Sequence, residues 1–166
     1  MTNPTIRQAS PEDAEAIAHI YVESWNAVFQ HRMHTRTVDA ELVSRWTTDL
    51  DAPPPHRWWV ASQKDAIAGF IGIGPSRDPV DPALCEINTI AVLSAHWRLG
   101  IGRSLMATAL AHLVSDGYNE AIVWTLEDYP LGQKFYASAG WERDGGSRDS
   151  GRQIRYRINI QPPSNS

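Results

Sequence analysis

Glu86-Ile-Asn-Thr-Ile-Ala-Val92, followed after four residues by Trp97-Arg-Leu-Gly-Ile-Gly-Arg-Ser-Leu105, carries the strongest structural signal in the chain. The first half has the apolar, β-branched character of a strand, and the second opens a helix at a pair of glycines. Gly100 and Gly102 let the backbone come close to a ligand. The first N–H groups of the helix have no carbonyl of their own and point outward. Arg98 and Arg103 bracket the glycines and suit phosphate charge. The run Arg98, Leu99, Gly100, Ile101, Gly102, Arg103 and Ser104 is therefore a candidate phosphate-binding turn. It also fits a ligand-free connection with solvated arginines. No Gly-Lys-Ser/Thr follows, which excludes a Walker loop, and Leu105 occupies the third-glycine position of a dinucleotide fingerprint.

Working outward, residues 5–8 read as a short extended start. Ser10-Pro11-Glu12-Asp13 then signals a helix, with an N-cap hydroxyl, a proline at the first position and acids against the dipole. The stripe Ala14, Ile17, Ile20, Tyr21, Trp25 and Val28 continues that helix to Phe29, leaving Glu15, His19 and Glu23 to face water. A second helix is expected over 37–48, ended by the prolines at 53–55. Residues 57–62 and 67–74 read as a hairpin, 75–82 as a turn-rich excursion, and 84–92 as a strand. Next come a helix over 100–114, a strand over 121–126 and a short helix over 130–138 that stops at Gly140. Two final β-runs are expected around turns at Gly145-Gly146 and Ser150-Gly151. The pattern predicts an α/β fold whose central sheet is mixed and flanked by helices.

Composition narrows the function classes. The chain has 166 residues, 42% hydrophobic and 20% charged, which fits one globular domain over 1–166 with a core of about 5–160 and a loose tail at 161–166. A net charge of -4 gives no basic footprint for nucleic acid or an anionic membrane. The single cysteine, Cys85, excludes an internal disulfide framework and fits a reducing compartment. Without an apolar leader or an apolar span, the expectation is a cytoplasmic protein. His31, His34 and His96 lack a trustworthy metal spacing with one another or with nearby acids, so no metal is expected. Exposed edge strands near the C-terminus make a homodimer plausible.

A second motif lies downstream, Leu126-Glu-Asp-Tyr-Pro-Leu-Gly-Gln-Lys-Phe-Tyr136 with Gly140-Trp141. Together the two segments resemble the acyl-CoA-binding core of the GNAT superfamily of N-acetyltransferases. That family's turn usually reads Arg/Gln-x-x-Gly-x-Gly/Ala, and its later motif Asn-x-x-Ala-x-x-Phe-Tyr followed by Gly-Phe. The resemblance spans about Ile6 to Ile160 and is most specific between Glu86 and Trp141. The chain departs from the pattern at Trp97, at Tyr129 in place of asparagine, and at Gly132 in place of alanine.

The resemblance implies a single-domain GNAT-like fold with a mostly antiparallel sheet and acetyl-CoA as co-substrate. Backbone groups of Ile90, Ala91 and Val92 would hold pantetheine like an added strand, and the glycine turn would hold the phosphates. Acyl transfer to an amine needs a neutral nucleophile, a polarised carbonyl and a proton for the departing thiolate. A simple amine, with a pKa of about 10, is mostly ammonium at neutral pH. Glu86, by its resemblance to the family's base, is the candidate for removing that proton, and Tyr136 matches the family's general acid. Each also fits a structural role, Glu86 as a strand-end carboxylate and Tyr136 as a core aromatic beside Phe135. Trp25, Phe29 and, more weakly, Trp124 are candidates for an acceptor pocket, although any one also fits core packing. The expected activity is direct acetyl transfer to a primary amine, with a small-molecule acceptor favoured. A protein N-terminal or lysine acetyltransferase and a non-catalytic acyl-CoA sensor stay open as alternatives.

Overall fold

In the computed structural model, which describes residues 3–29 and 36–160, strand β1 (Thr5–Gln8) leads through a 3-10 turn into α1 (Ala14–Phe29). Helix α2 (Ala40–Leu50), β2 (Arg57–Gln63), β3 (Ala66–Arg77) and β4 (Val80–Val92) follow. The chain then forms α3 (Ile101–Ser115), β5 (Glu120–Leu126), α4 (Pro130–Ser138), β6 (Glu142–Arg148) and β7 (Gln153–Asn159). The strands make one seven-stranded sheet in the order β1-β2-β3-β4-β5-β7-β6. β1–β2, β2–β3, β5–β7 and β6–β7 pair antiparallel, while β4 and β5 run parallel. This is the mixed, mostly antiparallel, helix-flanked sheet that the resemblance implies.

The entry to α1 is fixed by charge. Arg7 donates through both terminal nitrogens to Asp13, at 2.8 and 2.9 Å, and the Ser10 N–H donates to the same carboxylate at 2.9 Å. The bidentate hydrogen bonds from Arg7 hold Asp13 below the usual carboxylate range, against a desolvation that pushes the other way. Pro11–Asp13 is consequently a 3-10 turn, and the regular helix starts at Ala14. Helix α2 begins at Ala40, later than its sequence pattern predicts, because the Asp39 side chain accepts from the Leu42 N–H at 2.8 Å and so becomes the N-cap.

The chain divides into two compact units, Met1–Ile73 with Thr89–Ala109, and Gly74–Asn88 with Leu110–Ser166. In the first, α1 buries Ala14, Ile17, Ala18 and Ile20 against Trp46 and Leu50 of α2, Trp58 and Val60 of β2, and Phe70 of β3. Trp46 meets both Trp58 and Phe70 edge-on with ring centroids 5.3 Å apart. Such pairs add about 0.5–1.5 kcal/mol beyond the area they bury. In the second, β5 and β7 are registered from Glu120–Asn159 to Leu126–Gln153, and Tyr136 packs between Trp141 and Tyr156.

Two expectations about turns are corrected. The 75–82 segment is the end of a hairpin: β3 continues through Pro75 to Arg77, and β4 starts at Val80. The Ser76 hydroxyl donates to the Pro79 carbonyl across this turn. Proline's fixed φ suits an extended chain and removes only a ladder donor, so it does not by itself end a strand. Gly145 and Gly146 lie inside β6, where the pairing with β7 shifts register between Arg143 and Ser147, so they form a bulge and the turn comes only at residues 149–151.

Candidate active site

The cofactor-binding residues expected from the sequence fall on one continuous segment of the first unit. The register of β4 with β5 runs from Cys85–Ala121 to Ile87–Val123 and stops there, while β4 continues to Val92. Residues 88–92 are only half-buried. Leu93 returns to the neighbouring strand by donating its N–H to the Ala68 carbonyl at 2.8 Å. The Trp97 indole then donates to the Val92 carbonyl at 2.7 Å, closing the turn onto the strand end.

Beyond Trp97 the backbone enters the left-handed region at Arg98 (φ 65) and Gly100 (φ 85), which glycine adopts at little cost. The Ser104 N–H bonds the Gly100 carbonyl at 3.0 Å as α3 begins. Helix geometry leaves the N–H groups of Ile101, Gly102 and Arg103 without an intrahelical carbonyl. Ile101 and Leu105 are buried and anchor the first turn, whereas Arg98, Leu99, Gly100 and Arg103 are exposed. A rigid helix start with outward N–H groups, flanked by two exposed guanidinium groups, can receive a pyrophosphate. The donors and charges of this turn suit the phosphates of coenzyme A.

Glu23 is a residue that the sequence reading missed. It is expected on the water-facing side of α1, but its carboxylate accepts from both the N–H (3.0 Å) and the hydroxyl of Ser94, just past the end of β4. A partner 71 positions away leaves no local sequence signal. Trp25 and Phe29 stand at the end of α1 with ring centroids 4.4 Å apart. An open groove of about 700 Å³ lined by Glu15, His19, Val38, Asp39, Val43 and Thr47, among others, contains none of the expected site residues.

Glu86, Tyr136 and Trp124 belong to the second unit. Glu86 is buried at 5% exposure, where β4 pairs with Ile122 of β5. It accepts a long hydrogen bond from the Arg77 N–H at 3.4 Å, with the Arg77 Nε at 3.9 Å. Arg77 is itself largely exposed, so Glu86 keeps a solvated cation beside a buried carboxylate. Tyr136 is presented by α4 among Phe135, Trp141 and Tyr156, with centroids 5.4 to 6.1 Å away. Burial, with a smaller contribution from Tyr129, pushes its phenol well above the ordinary tyrosine range. Trp124 donates its indole N–H to the Asp78 carbonyl at 3.0 Å and carries the Arg148 guanidinium on its ring at 4.1 Å. Its ring thus already holds a cation.

The two departures in the later motif are physically coupled. A Cβ at Gly132 would stand 2.7 Å from two ring carbons of Tyr129. The tyrosine ring fills the space that an alanine methyl would take. Overpacking of this kind costs about 1–3 kcal/mol, against roughly 1 kcal/mol gained from better helix propensity. Gly132→Ala is therefore expected to lower the urea unfolding midpoint, and the same change in a Tyr129→Asn background to raise it. Equal effects in both backgrounds would separate the two positions.

A family model described as Acetyltransferase (GNAT) family matches residues 14–141. The chain belongs to the GNAT family of acetyltransferases. It is 26% identical over 127 residues, covering 76% of this chain and 73% of the relative, to an uncharacterized N-acetyltransferase, YuaI, of Bacillus subtilis. Its fold matches the PaiA N-acetyltransferase of Thermoplasma acidophilum, solved with coenzyme A, at TM-score 0.73 and 16% identity over 95% of this chain and 99% of that one. It also matches the ribosomal-protein-S18-alanine N-acetyltransferase of Escherichia coli at TM-score 0.67 and 17% identity, over 99% and 98% of the two chains. The GNAT chain is thus an acetyltransferase. Among the described residues, no three His, Cys, Asp or Glu side chains gather where a metal ion would be held, and His31 and His34 lie outside those residues. No described helix is long and apolar enough to cross a membrane.

Proposed function

We propose that this GNAT chain transfers an acetyl group directly from acetyl-CoA to a primary amine of a small molecule, with both bound at once. The observation that carries the reading is the turn after β4, where unpaired N–H groups of α3 meet the exposed Arg98 and Arg103 beyond a strand end that β5 does not pair. When bound, acetyl-CoA supplies an activated thioester. The chain's own groups do the rest. Arg98, Arg103 and the N–H groups of Ile101 to Arg103 bind phosphate charge, and the Ile90 to Val92 backbone orients the arm that carries the thioester.

Glu86 takes the proton that the ammonium must lose before it can attack. Its burial excludes water from the carboxylate, while the Arg77 N–H keeps it oriented. Tyr136 supplies a proton to the departing sulfur. A phenol pushed upward by burial stays protonated across the neutral range, the state a proton donor needs. Glu23 has a positioning role, because it fixes Ser94 at the junction of strand and turn. The buried free thiol of Cys85 fits a reducing cytoplasm.

The aromatic end of α1 and the tight turn at 78–79 favour a small acceptor over an extended peptide. Thiol release from acetyl-CoA, measured with a panel of free amines beside lysine-containing peptides and peptides with free N-termini, tests this. Turnover of the free amines is expected. Turnover of the peptides alone would transfer the assignment to a protein acetyltransferase.

A further inference from the structure

We propose that the acceptor amine carries a carboxylate and that Arg36 receives it. This rests on the acyl-transfer reading above and adds the substrate class. Arg36 precedes α2 and is held at two levels. Its backbone is pinned by the Asn26 side chain, which accepts from the Arg36 N–H at 2.8 Å and donates to the Arg36 carbonyl at 2.9 Å. Its guanidinium carbon lies 3.9 Å from the centroid of the Trp25 ring and 5.2 Å from that of Tyr21.

Contact with aromatic rings engages the guanidinium's cationic face and leaves its N–H donors, which lie in its plane, available at the edge. Among the described residues no carboxylate pairs with the Arg36 side chain, in a chain with 19 acids and 15 bases. Arg7, Arg77, Arg148, Arg155 and Arg157 have such partners, whereas the exposed Arg36, like the Arg98 and Arg103 assigned to the coenzyme, has none among the described residues. A second, independent feature sits on the same aromatic platform: the Trp25 indole N–H is buried and meets no acceptor among the described residues. A buried donor without an acceptor is costly, and a ligand oxygen would satisfy it. A guanidinium held on this aromatic platform, with no carboxylate of its own, suits the two oxygens of a carboxylate.

The phosphates of coenzyme A do not need this cation, because the turn at Arg98 to Ser104 supplies its own donors and charge. Trp25 and Phe29, expected from the sequence to line an acceptor pocket, then act as the platform that aims Arg36. An amine with a neighbouring carboxylate is an amino acid or a close analogue. A lysine side chain within a protein has no such group.

Matched pairs of amino acids and their α-carboxamides, which keep the amine and lose only the negative charge, provide the test. Initial rates with acetyl-CoA are measured for the wild-type, Arg36→Gln and Arg36→Lys proteins. Saturation-transfer NMR on the same proteins without coenzyme A measures amine binding by itself. The acids are expected to show a KM at least about 10-fold below the amides. Arg36→Gln should bring that ratio to roughly 1, and Arg36→Lys should restore part of it, because charge returns without the fork. Binding of acetyl-CoA, titrated on each variant, should change less than about 2-fold, since Arg36 is assigned to the other substrate.

Wild-type protein that binds or uses the amides as well as the acids overturns the proposal, as does an acid preference that survives in Arg36→Gln. Loss of acetyl-CoA binding in that variant would place Arg36 at the coenzyme and also overturn it. Absence of acetyl-CoA binding in the wild type is instead the failure of the acyl-transfer reading. The acid-to-amide difference measured by NMR still decides the role of Arg36 in that case.

Discussion

Glu86→Gln is expected to lower kcat by about 100-fold or more, the usual scale for removing a general base. The substitution keeps the size of the side chain and an oxygen to accept the Arg77 N–H, so acetyl-CoA binding and thermal stability should stay near wild type. Glutamine cannot take the ammonium proton, and the residual rate should then follow the small fraction of amine that is already neutral. The variant's rate should climb about 10-fold per pH unit below the amine's own pKa of about 10, steeper than the wild type. Steady-state rates from pH 6 to 9.5 measure this. A wild-type rate in Glu86→Gln would make the buried carboxylate a structural element of β4 and return the base's role to solvent or to another group.

Tyr136→Phe carries the next largest expectation, a kcat lower by about 100-fold with little change in the affinity for acetyl-CoA. The ring contacts with Phe135, Trp141 and Tyr156 survive in phenylalanine, so the fold should be retained. The size of the loss should depend on the thiol that departs. A coenzyme analogue whose thiol is more acidic needs the proton less, and the gap between wild type and variant should narrow with it. An equal deficit with both donors would assign Tyr136 to packing. The direction of its pKa adds a stability consequence. The folded phenol titrates above the unfolded one, so the unfolded chain loses its proton first, and stability should fall as pH rises beyond about 10.

Most of this architecture is legible in the sequence because its signals are local. Gly100 and Gly102 mark the turn, Ser10-Pro11 marks the entry to α1, and Gly140, with φ 94, marks the end of α4. Periodicity places Leu105, Ala109, Leu110 and Leu113 inward on α3; Leu105, Ala109 and Leu113 are fully buried and Leu110 is half-buried. What local pattern misses depends on distant partners or on competing local bonds. The sequence shows Glu23 as a polar residue on a helix, and only the folded chain brings Ser94 to it. The late start of α2 follows from one side-chain bond at Asp39. The 75–82 segment reads as a turn-rich excursion, yet Pro75 and Pro82 both sit within strands. The departures at Tyr129 and Gly132 look independent in the sequence, and their coupling is visible only as a 2.7 Å approach.

Binding of acetyl-CoA, coenzyme A and ATP followed by calorimetric titration and thermal shift tests the central claim most directly. A ligand that binds only the native state raises stability by RT ln(1 + [L]/Kd), about 2.7 kcal/mol at a hundredfold excess over Kd. The account predicts a clear shift with acetyl-CoA and with coenzyme A, none with ATP, and weakening of the coenzyme shifts when Arg98 and Arg103 are both replaced by Ala. No shift at millimolar acetyl-CoA, or an equal shift with ATP, would contradict it.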